Sequence, residues 1–252
     1  MTTTDLNKLV IIPTYKEKEN IQLIIDAVIN LGQHYHVLII DDNSPDGTAE
    51  IVKSMQRLHP NELYLIERAG KLGLGTAYIA GFEWALANGY DYVFEMDADF
   101  SHDPNDLERL YNACQTGGAD MAVGSRYVCG GQIENWPLSR KLISKAGAFY
   151  SKLITWLPVN DATAGFVCYS RKVLATMDLK SIRFVGYAFQ IEMKFTAWKL
   201  GFKIKEVPIT FRDRKFGASK MTKGIIQEGI VGVLSMQMQY LFGGINKKQK
   251  KS

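Results

Sequence analysis

Leu9-Val10-Ile11-Ile12-Pro13-Thr14-Tyr15 opens on four apolar residues and stops at a proline; Glu17 to Leu31 follows, with Ile21, Ile24, Ile25, Val28 and Leu31 at helical spacing. Val37-Leu38-Ile39-Ile40 is a second apolar run. A short unbroken run, an amphipathic helix and another short run read as strand, crossover and parallel strand buried on both faces.

The rhythm repeats outward. Asn43-Ser44-Pro45-Asp46-Gly47 reads as a turn, Thr48 to Leu58 as a helix, Leu63 to Ile66 as a strand and Thr76 to Ala87 as a helix. Tyr92 to Met96 and Met121 to Gly124 are the next strands, with a helix from near Pro104 between them. Alternation of this kind predicts an α/β fold with a mostly parallel sheet covered on both faces, and such sheets bind ligands at the carboxyl ends of their strands. Four polar clusters fall at such ends: Pro13-Thr14-Tyr15-Lys16-Glu17, Asp41-Asp42-Asn43, Asp97-Ala98-Asp99 and Ser125-Arg126.

The period of two throws Asp97 and Asp99 to one side of a strand end, where a hard divalent cation can be shared. Asp is also common where strands give way to loops, and Asp103-Pro104 can simply open a helix. Beyond residue 130 the expected elements are a helix from Leu138 to Leu157, a strand at Phe166-Val167-Cys168-Tyr169, a helix around Ile191 to Leu200 and a strand from Lys203 to Phe211. No stretch between the halves has linker composition.

At 252 residues, 46% hydrophobic and 22% charged with a net charge of +4, the composition is ordinary for a globular chain and too mildly basic to point to nucleic acid. Cys114, Cys129 and Cys168 have neither zinc nor disulfide-framework spacing, and Met1-Thr2-Thr3-Thr4-Asp5 lacks the basic and apolar regions of a signal peptide. A cytoplasmic catalytic part is expected. Gly70-Lys71-Leu72-Gly73-Leu74-Gly75 lacks the third glycine of a dinucleotide fingerprint, Tyr78 standing there, so NAD binding is rejected; the glycines would let a loop pass close to donor or sheet, and Lys71 reads as a solvated charge.

Six segments in order resemble the dolichyl-phosphate mannosyltransferases, a branch of glycosyltransferase family 2. They are Pro13 to Asn20, Asp41 to Gly47, Lys71 to Ala77, Asp97-Ala98-Asp99, Gly124 to Tyr127 and Gly217 to Lys220, within a likeness running from about residue 9 to 240. The resemblance implies the GT-A fold, a catalytic domain over 1–224, Mg2+ or Mn2+, a GDP-mannose donor and a polyprenyl (dolichyl) phosphate acceptor. By the same likeness Pro13, Tyr15 and Glu17 hold the nucleoside, Ile40 and Asp42 contact the base, and Asp97, Ala98 and Asp99 serve ribose, diphosphate and metal. Arg214 and Lys220 close over the diphosphate, and UDP-glucose is the rival donor.

Residue chemistry agrees. Asp42 can accept from base nitrogens, Asp99 offers hard oxygen, and Arg214 with a metal would neutralise a departing diphosphate. No general base is required, because a phosphate monoester with a second pKa near 6 is already largely an anion at neutral pH. Arg126 and Arg140 have the planar fork that suits phosphate and are assigned to the acceptor, the alternative being ordinary surface arginines. Some relatives carry Gln where this chain has Ser101 and others carry Ser, so Ser101 ligates directly, through water or not at all; His102 is a ligand or a loop hydrogen-bonder.

Asp161-Ala162-Thr163-Ala164-Gly165-Phe166 and Phe189-Gln190-Ile191-Glu192 also resemble family segments. They place Asp161 near sugar or acceptor, or as a cap, and make Gln190 and Glu192 sugar contacts, or the polar face of a half-buried amphipathic helix. Ile225 to Phe242 is interrupted by Gln227, Glu228, Gln237 and Gln239, which reads as an amphipathic helix, and Lys247-Lys248-Gln249-Lys250-Lys251 follows. Residues 225–252 are expected to lie on a membrane surface, or to pack on the domain with a solvated tail. A non-catalytic nucleotide-sugar sensor and a nucleotidyltransferase are the rival classes; the second would need a glycine-rich phosphate loop where Pro13-Thr14-Tyr15 stands.

Overall fold

A computed structural model of the chain describes residues 6–32, 34–213 and 223–243. In chain order the first half contains β1 (Lys8–Thr14), α1 (Ile21–Ile29), β2 (Tyr35–Asp41), α2 (Thr48–Gln56), β3 (Leu63–Glu67), α3 (Leu74–Ala87), β4 (Tyr92–Glu95), α4 (Asp106–Gln115) and β5 (Met121–Ser125). The second contains β6 (Gln132–Ile133), α5 (Leu138–Thr155), β7 (Val167–Ser170), α6 (Arg171–Thr176), a 3-10 turn (Leu179–Ser181), α7 (Tyr187–Lys199), β8 (Ile204–Pro208), β9 (Thr210–Phe211) and α8 (Lys223–Leu241).

The strands' period of two sorts their side chains onto two cores. Val10, Ile12, Val37, Ile39 and Phe94 pack under α1, α2 and α4, meeting Ile21, Ile25, Val52, Leu107 and Leu110. Leu9, Ile11, Leu38, Ile40 and Val93 face the other way, against Tyr78 and Phe82 of α3 and Phe189 and Met193 of α7. Each such side chain removed from water contributes about 1.5–3 kcal/mol, so these residues fix the sheet between its two helical layers. This is the expected α/β arrangement, a sheet covered by helices on both faces.

Seven strands form one sheet in the order β3-β2-β1-β4-β7-β5-β8. Since β7 and β8 come from the second half, the central sheet draws on both halves. The pattern of apolar residues carries no information about strand direction, and β7 enters antiparallel between β4 and β5. The expected strand over 203–211 is two: β8 ends at Pro208, which has no N–H to donate, and β9 pairs instead with β6 in a separate two-stranded sheet. The first helix begins at Ile21, four residues later than expected, because the Asn20 and Ile21 amides both donate to the Glu17 carbonyl in a preceding turn.

α7 departs most from expectation. Residues 188–197 are all buried, Gln190, Glu192, Lys194 and Thr196 included, so the helix is neither half-buried nor amphipathic. A third core joins it to α8, with Ala188, Ile191 and Phe195 against Val233 and Met236. Among the described residues no helix is long and apolar enough to cross a membrane.

Candidate active site

The sheet register sets the polar clusters level. Thr14 pairs directly with Asp41. Ile11 pairs with Glu95, so two residues further along each chain Pro13 stands beside Asp97. Glu95 pairs with Val167 and Val167 with Val123, which brings Ser125 to the same height. The four strand-end clusters of the sequence therefore lie along one edge.

At the first cluster the Asp41 carboxylate is structural. It accepts from the Thr14 hydroxyl at 2.8 Å, the Ser44 hydroxyl at 2.7 Å and the Ser44 amide at 2.8 Å, tying β1 to the turn after β2. The Glu17 amide donates to the Thr48 hydroxyl at 3.1 Å, and Tyr15 lies half-buried with the Lys71 ammonium 5.0 Å from its ring centre. Lys71 thus leans over a nucleoside candidate.

Asp42 has a partner that sequence reasoning missed. Arg68 donates through Nε to its Oδ1 at 2.6 Å, through Nη1 to Thr76 Oγ1 at 2.7 Å and through Nη2 to the Gly73 carbonyl at 3.2 Å. One nearly buried guanidinium fixes both the carboxylate assigned to the base and the start of α3. An arginine just after an apolar strand looks like any surface residue in sequence, so no signal announced it. Gly73, just before α3, has φ +102°, and a Cβ on Gly75 would lie 2.6 Å from the Phe184 carbonyl oxygen and 2.8 Å from the Phe189 ring. Gly73 and Gly75 let the start of α3 approach the segment leading into α7.

In the Asp97 loop, Asp99 Oδ1 accepts the Ser101 amide at 3.0 Å while Phe100 takes a positive φ of 59°. Asp99 and Ser101 are buried and Asp97 is partly exposed. His102 is buried, stacks on Phe166 with ring centres 4.8 Å apart, and accepts the Asp97 amide at Nδ1 at 3.3 Å. Burial pushes its pKa down to about 4, so its neutral ring carries the proton on Nε2. Its Nδ1 is thereby committed to the backbone of the Asp97 loop, as the loop-histidine reading expects.

Beyond β5, Arg126 is gripped by Asp161: Nε is 2.7 Å from Oδ2, Nη2 is 2.7 Å from Oδ1, and the backbone amide adds a contact to Oδ2 at 2.9 Å. Nη2 also donates to the Thr163 hydroxyl at 3.0 Å. Arg140 pairs with Asp213 at 3.1 Å and lies 3.8 Å over the Trp136 ring, whose other neighbours are Arg126 and Phe211. The two arginines assigned to the acceptor thus share one aromatic wall. Arg126 is nearly buried against Asp161, which is a buried counter-ion rather than a cap, while Arg140 and Asp213 are both partly exposed.

Residues 9–177 match the family described as Glycosyl transferase family 2. The chain belongs to that family. This glycosyltransferase is 44% identical over 225 residues to the polyprenol monophosphomannose synthase of Mycolicibacterium smegmatis, covering 89% of this chain and 84% of that protein. It is 45% identical over 225 residues to the undecaprenyl-phosphate mannosyltransferase of Micrococcus luteus, covering 89% and 91%. In fold it resembles glucosyl-3-phosphoglycerate synthase from Mycobacterium tuberculosis, crystallised with Mn2+, uridine diphosphate and glucosyl-3-phosphoglycerate, with a TM-score of 0.69 at 20% identity over 92% of this chain and 80% of that one.

Among the described residues of this glycosyltransferase, no three carboxylate, imidazole or thiolate groups converge on a metal position. Asp97 and Asp99 with the Ser101 hydroxyl nevertheless fit a Mg2+ or Mn2+ ion, which takes one or two carboxylates and completes its shell with water and substrate phosphate oxygens. Pro13, Ile40 and Ala98 stand along the same strand-end edge as Asp97. Gln190 and Glu192, expected as sugar contacts or as a polar helix face, are both buried: Gln190 donates to Glu95 Oε2 at 2.7 Å, and Glu192 Oε2 accepts the Arg183 and Phe184 amides at 3.0 Å each. Arg214 and Lys220 lie outside the described residues, as does the basic run 247–251.

Proposed function

We propose that this glycosyltransferase moves mannose from GDP-mannose to a polyprenyl or dolichyl phosphate with inversion, giving a β-linked polyprenyl phosphate mannose. The observation that carries the reading is the pair of relatives at 44% and 45% identity, both named for mannose transfer to polyprenyl carriers. The site supports it chemically.

Asp42, steadied by Arg68, presents a carboxylate at the base end of the strand edge, with Tyr15 and Glu17 beside it. Asp97, Asp99 and Ser101 would hold the divalent ion, which supplies positive charge to the diphosphate as it leaves. Arg126 and Arg140 would bring the acceptor phosphate to the sugar. The acceptor oxygen, ionised already, attacks the anomeric carbon opposite the diphosphate; the new carbon–oxygen bond forms as the old one breaks, and the electron pair departs with GDP. This chain's residues have only to hold two anions together in line.

A lipid-borne acceptor requires an approach to a bilayer, and α5 and α8 are suited to it. α5 buries Ala148, Ser151 and Thr155 while exposing Leu138, Leu142, Phe149 and Leu153, an apolar stripe with helical spacing that Trp156, the exposed residue capping its C-terminus, continues. α8 buries Val233 and Met236 and exposes Val231, Leu234, Met238 and Leu241 in the same manner. The Tyr150 hydroxyl of α5 donates to the Ile230 carbonyl of α8 at 3.0 Å, joining the two. Exposed stripes of this size mark an interaction surface, and we assign them to the lipid–water interface, with the lysines of the 225–252 segment adding attraction to anionic lipid. Peripheral attachment at the cytoplasmic face follows.

The deciding experiment supplies labelled GDP-mannose or UDP-glucose with a short polyprenyl phosphate and Mn2+. Transfer of mannose with a β-linked product is expected. Transfer from UDP-glucose alone would replace the donor, an α-linked product would remove inversion, and transfer from neither would leave a nucleotide-sugar sensor.

A further inference from the structure

A fully buried polar relay lies beneath the strand-end edge. Glu95, two residues before Asp97, accepts the Tyr169 hydroxyl on Oε1 at 3.2 Å and the Gln190 side-chain amide on Oε2 at 2.7 Å. The Gln190 Oε1 in turn accepts from Lys194 Nζ at 3.1 Å. Lys194, with no exposed surface, spends its remaining donors on the Gln190 carbonyl at 3.1 Å and the Ala164 carbonyl at 2.7 Å. An ammonium has three donors and all three are used.

The Ala164 bond leads to the site. The Ala164 amide donates to the Asp161 carbonyl at 3.2 Å, closing a tight turn, and the Asp161 carboxylate at its start holds Arg126. A buried charge is costly to keep, and a methionine would fill the same space without it. Gln190 bridges Glu95 to Lys194, so the buried carboxylate and the buried ammonium of the relay offset one another. The relay binds the strand carrying the Asp97 pair to the turn carrying Arg126's counter-ion.

We propose that Lys194 is a positioning residue for the acceptor side: its bond to the Ala164 carbonyl sets the 161–165 turn at the place from which Asp161 aims Arg126. This rests on Arg126 serving the acceptor, as proposed above.

The test is the double variant Glu95→Gln with Lys194→Met, in which no buried charge is left uncompensated and side-chain volume is nearly kept. The expected result is nucleotide binding within about twofold of the unsubstituted enzyme, an acceptor KM raised about tenfold or more, and faster hydrogen exchange over 161–166. Glu95→Gln alone leaves Lys194 without its buried counter-ion and should lower stability in chemical denaturation, but Nζ, charged or neutral, still has an N–H for the Ala164 carbonyl, so the acceptor KM should stay within about twofold. An unchanged acceptor KM in the double variant, equal loss of nucleotide and acceptor binding, or an acceptor defect in Glu95→Gln matching the double variant's overturns the proposal. Were the double variant not to fold, exchange in the unsubstituted protein decides: amides 161–166 must be as protected as those of β4, and rapid exchange there overturns it. If the unsubstituted enzyme transfers to no polyprenyl phosphate, the function reading fails, while the exchange comparison still judges the Lys194 bond.

Discussion

Arg126 and Asp161 form a bidentate pair, Nε to Oδ2 and Nη2 to Oδ1 at 2.7 Å each, with the arginine side chain 9% exposed and the carboxylate fully buried. Asp161 thus fixes the orientation of the guanidinium. Breaking such a pair from one side leaves an uncompensated charge, which costs about 3–5 kcal/mol. Asp161→Asn should therefore lower stability by that order in chemical denaturation, and Arg126→Ala should do the same while raising the acceptor KM. A variant of either residue with unchanged stability would mean the pair is not formed in solution.

Asp42 and Arg68 form a second such pair after β2, at the end proposed for the nucleotide. Arg68→Met removes a charged hydrogen bond of about 1.5–3 kcal/mol from Asp42, along with the donors on Thr76 and Gly73. Nucleotide binding, read by titration calorimetry, should weaken about tenfold or more, with the acceptor KM unmoved. Equal losses on both sides would show that Arg68 acts on the whole fold instead of on the base carboxylate.

Two glycines should respond with opposite sign to alanine. Gly75→Ala places a methyl group 2.6 Å from the Phe184 carbonyl oxygen and 2.8 Å from the Phe189 ring, an overpacking worth about 1–3 kcal/mol of lost stability. Gly147, in the exposed middle of α5, has nothing within 4 Å of a built Cβ, so Gly147→Ala should gain about 0.5–1 kcal/mol from helix propensity. Thermal unfolding of the two variants reads both signs.

The sequence reveals the strand-end edge because its determinants are local. Val10 to Ile12 and Val37 to Ile40 are unbroken apolar runs, and an acidic cluster directly after such a run can only sit at a strand end. Lys194, Gln190 and Glu192 are different. In a helix buried on every side their polarity has no period, and a polar group satisfied inside the protein has the same sequence signature as a solvated one. Arg68 and the Asp161 counter-ion depend on pairings 26 and 35 residues apart, which no spacing rule encodes. The direction of β7 was hidden for the same reason.

Asp99 should be indispensable for turnover and nearly neutral for folding. Its Oδ1 holds the Ser101 amide, a bond an asparagine oxygen can also accept, so Asp99→Asn keeps the loop while halving the charge offered to a divalent ion with Asp97. Transfer should fall by more than about a hundredfold, the loss expected when charge stabilisation of a leaving group is withdrawn, and chelation of divalent ions should match it in the unsubstituted enzyme. Full activity in excess chelator would remove the metal from the mechanism.

Leu142, Phe149 and Trp156 are 59%, 68% and 68% exposed, so replacing them costs the fold little and the proposed membrane contact a great deal. Each apolar side chain transferred to the lipid interface contributes about 1.5–3 kcal/mol, and three together exceed what a few lysines supply at about 1 kcal/mol each. The triple variant Leu142→Ser, Phe149→Ser and Trp156→Asn, the last chosen because Trp156 has φ 56° and asparagine tolerates that region, should no longer float with anionic vesicles. Transfer to a short, water-soluble polyprenyl phosphate should persist, while transfer to a long-chain acceptor embedded in vesicles should collapse. Undiminished flotation would move the contact away from α5, and equal loss with both acceptors would mean that the stripe serves the cleft and not the bilayer.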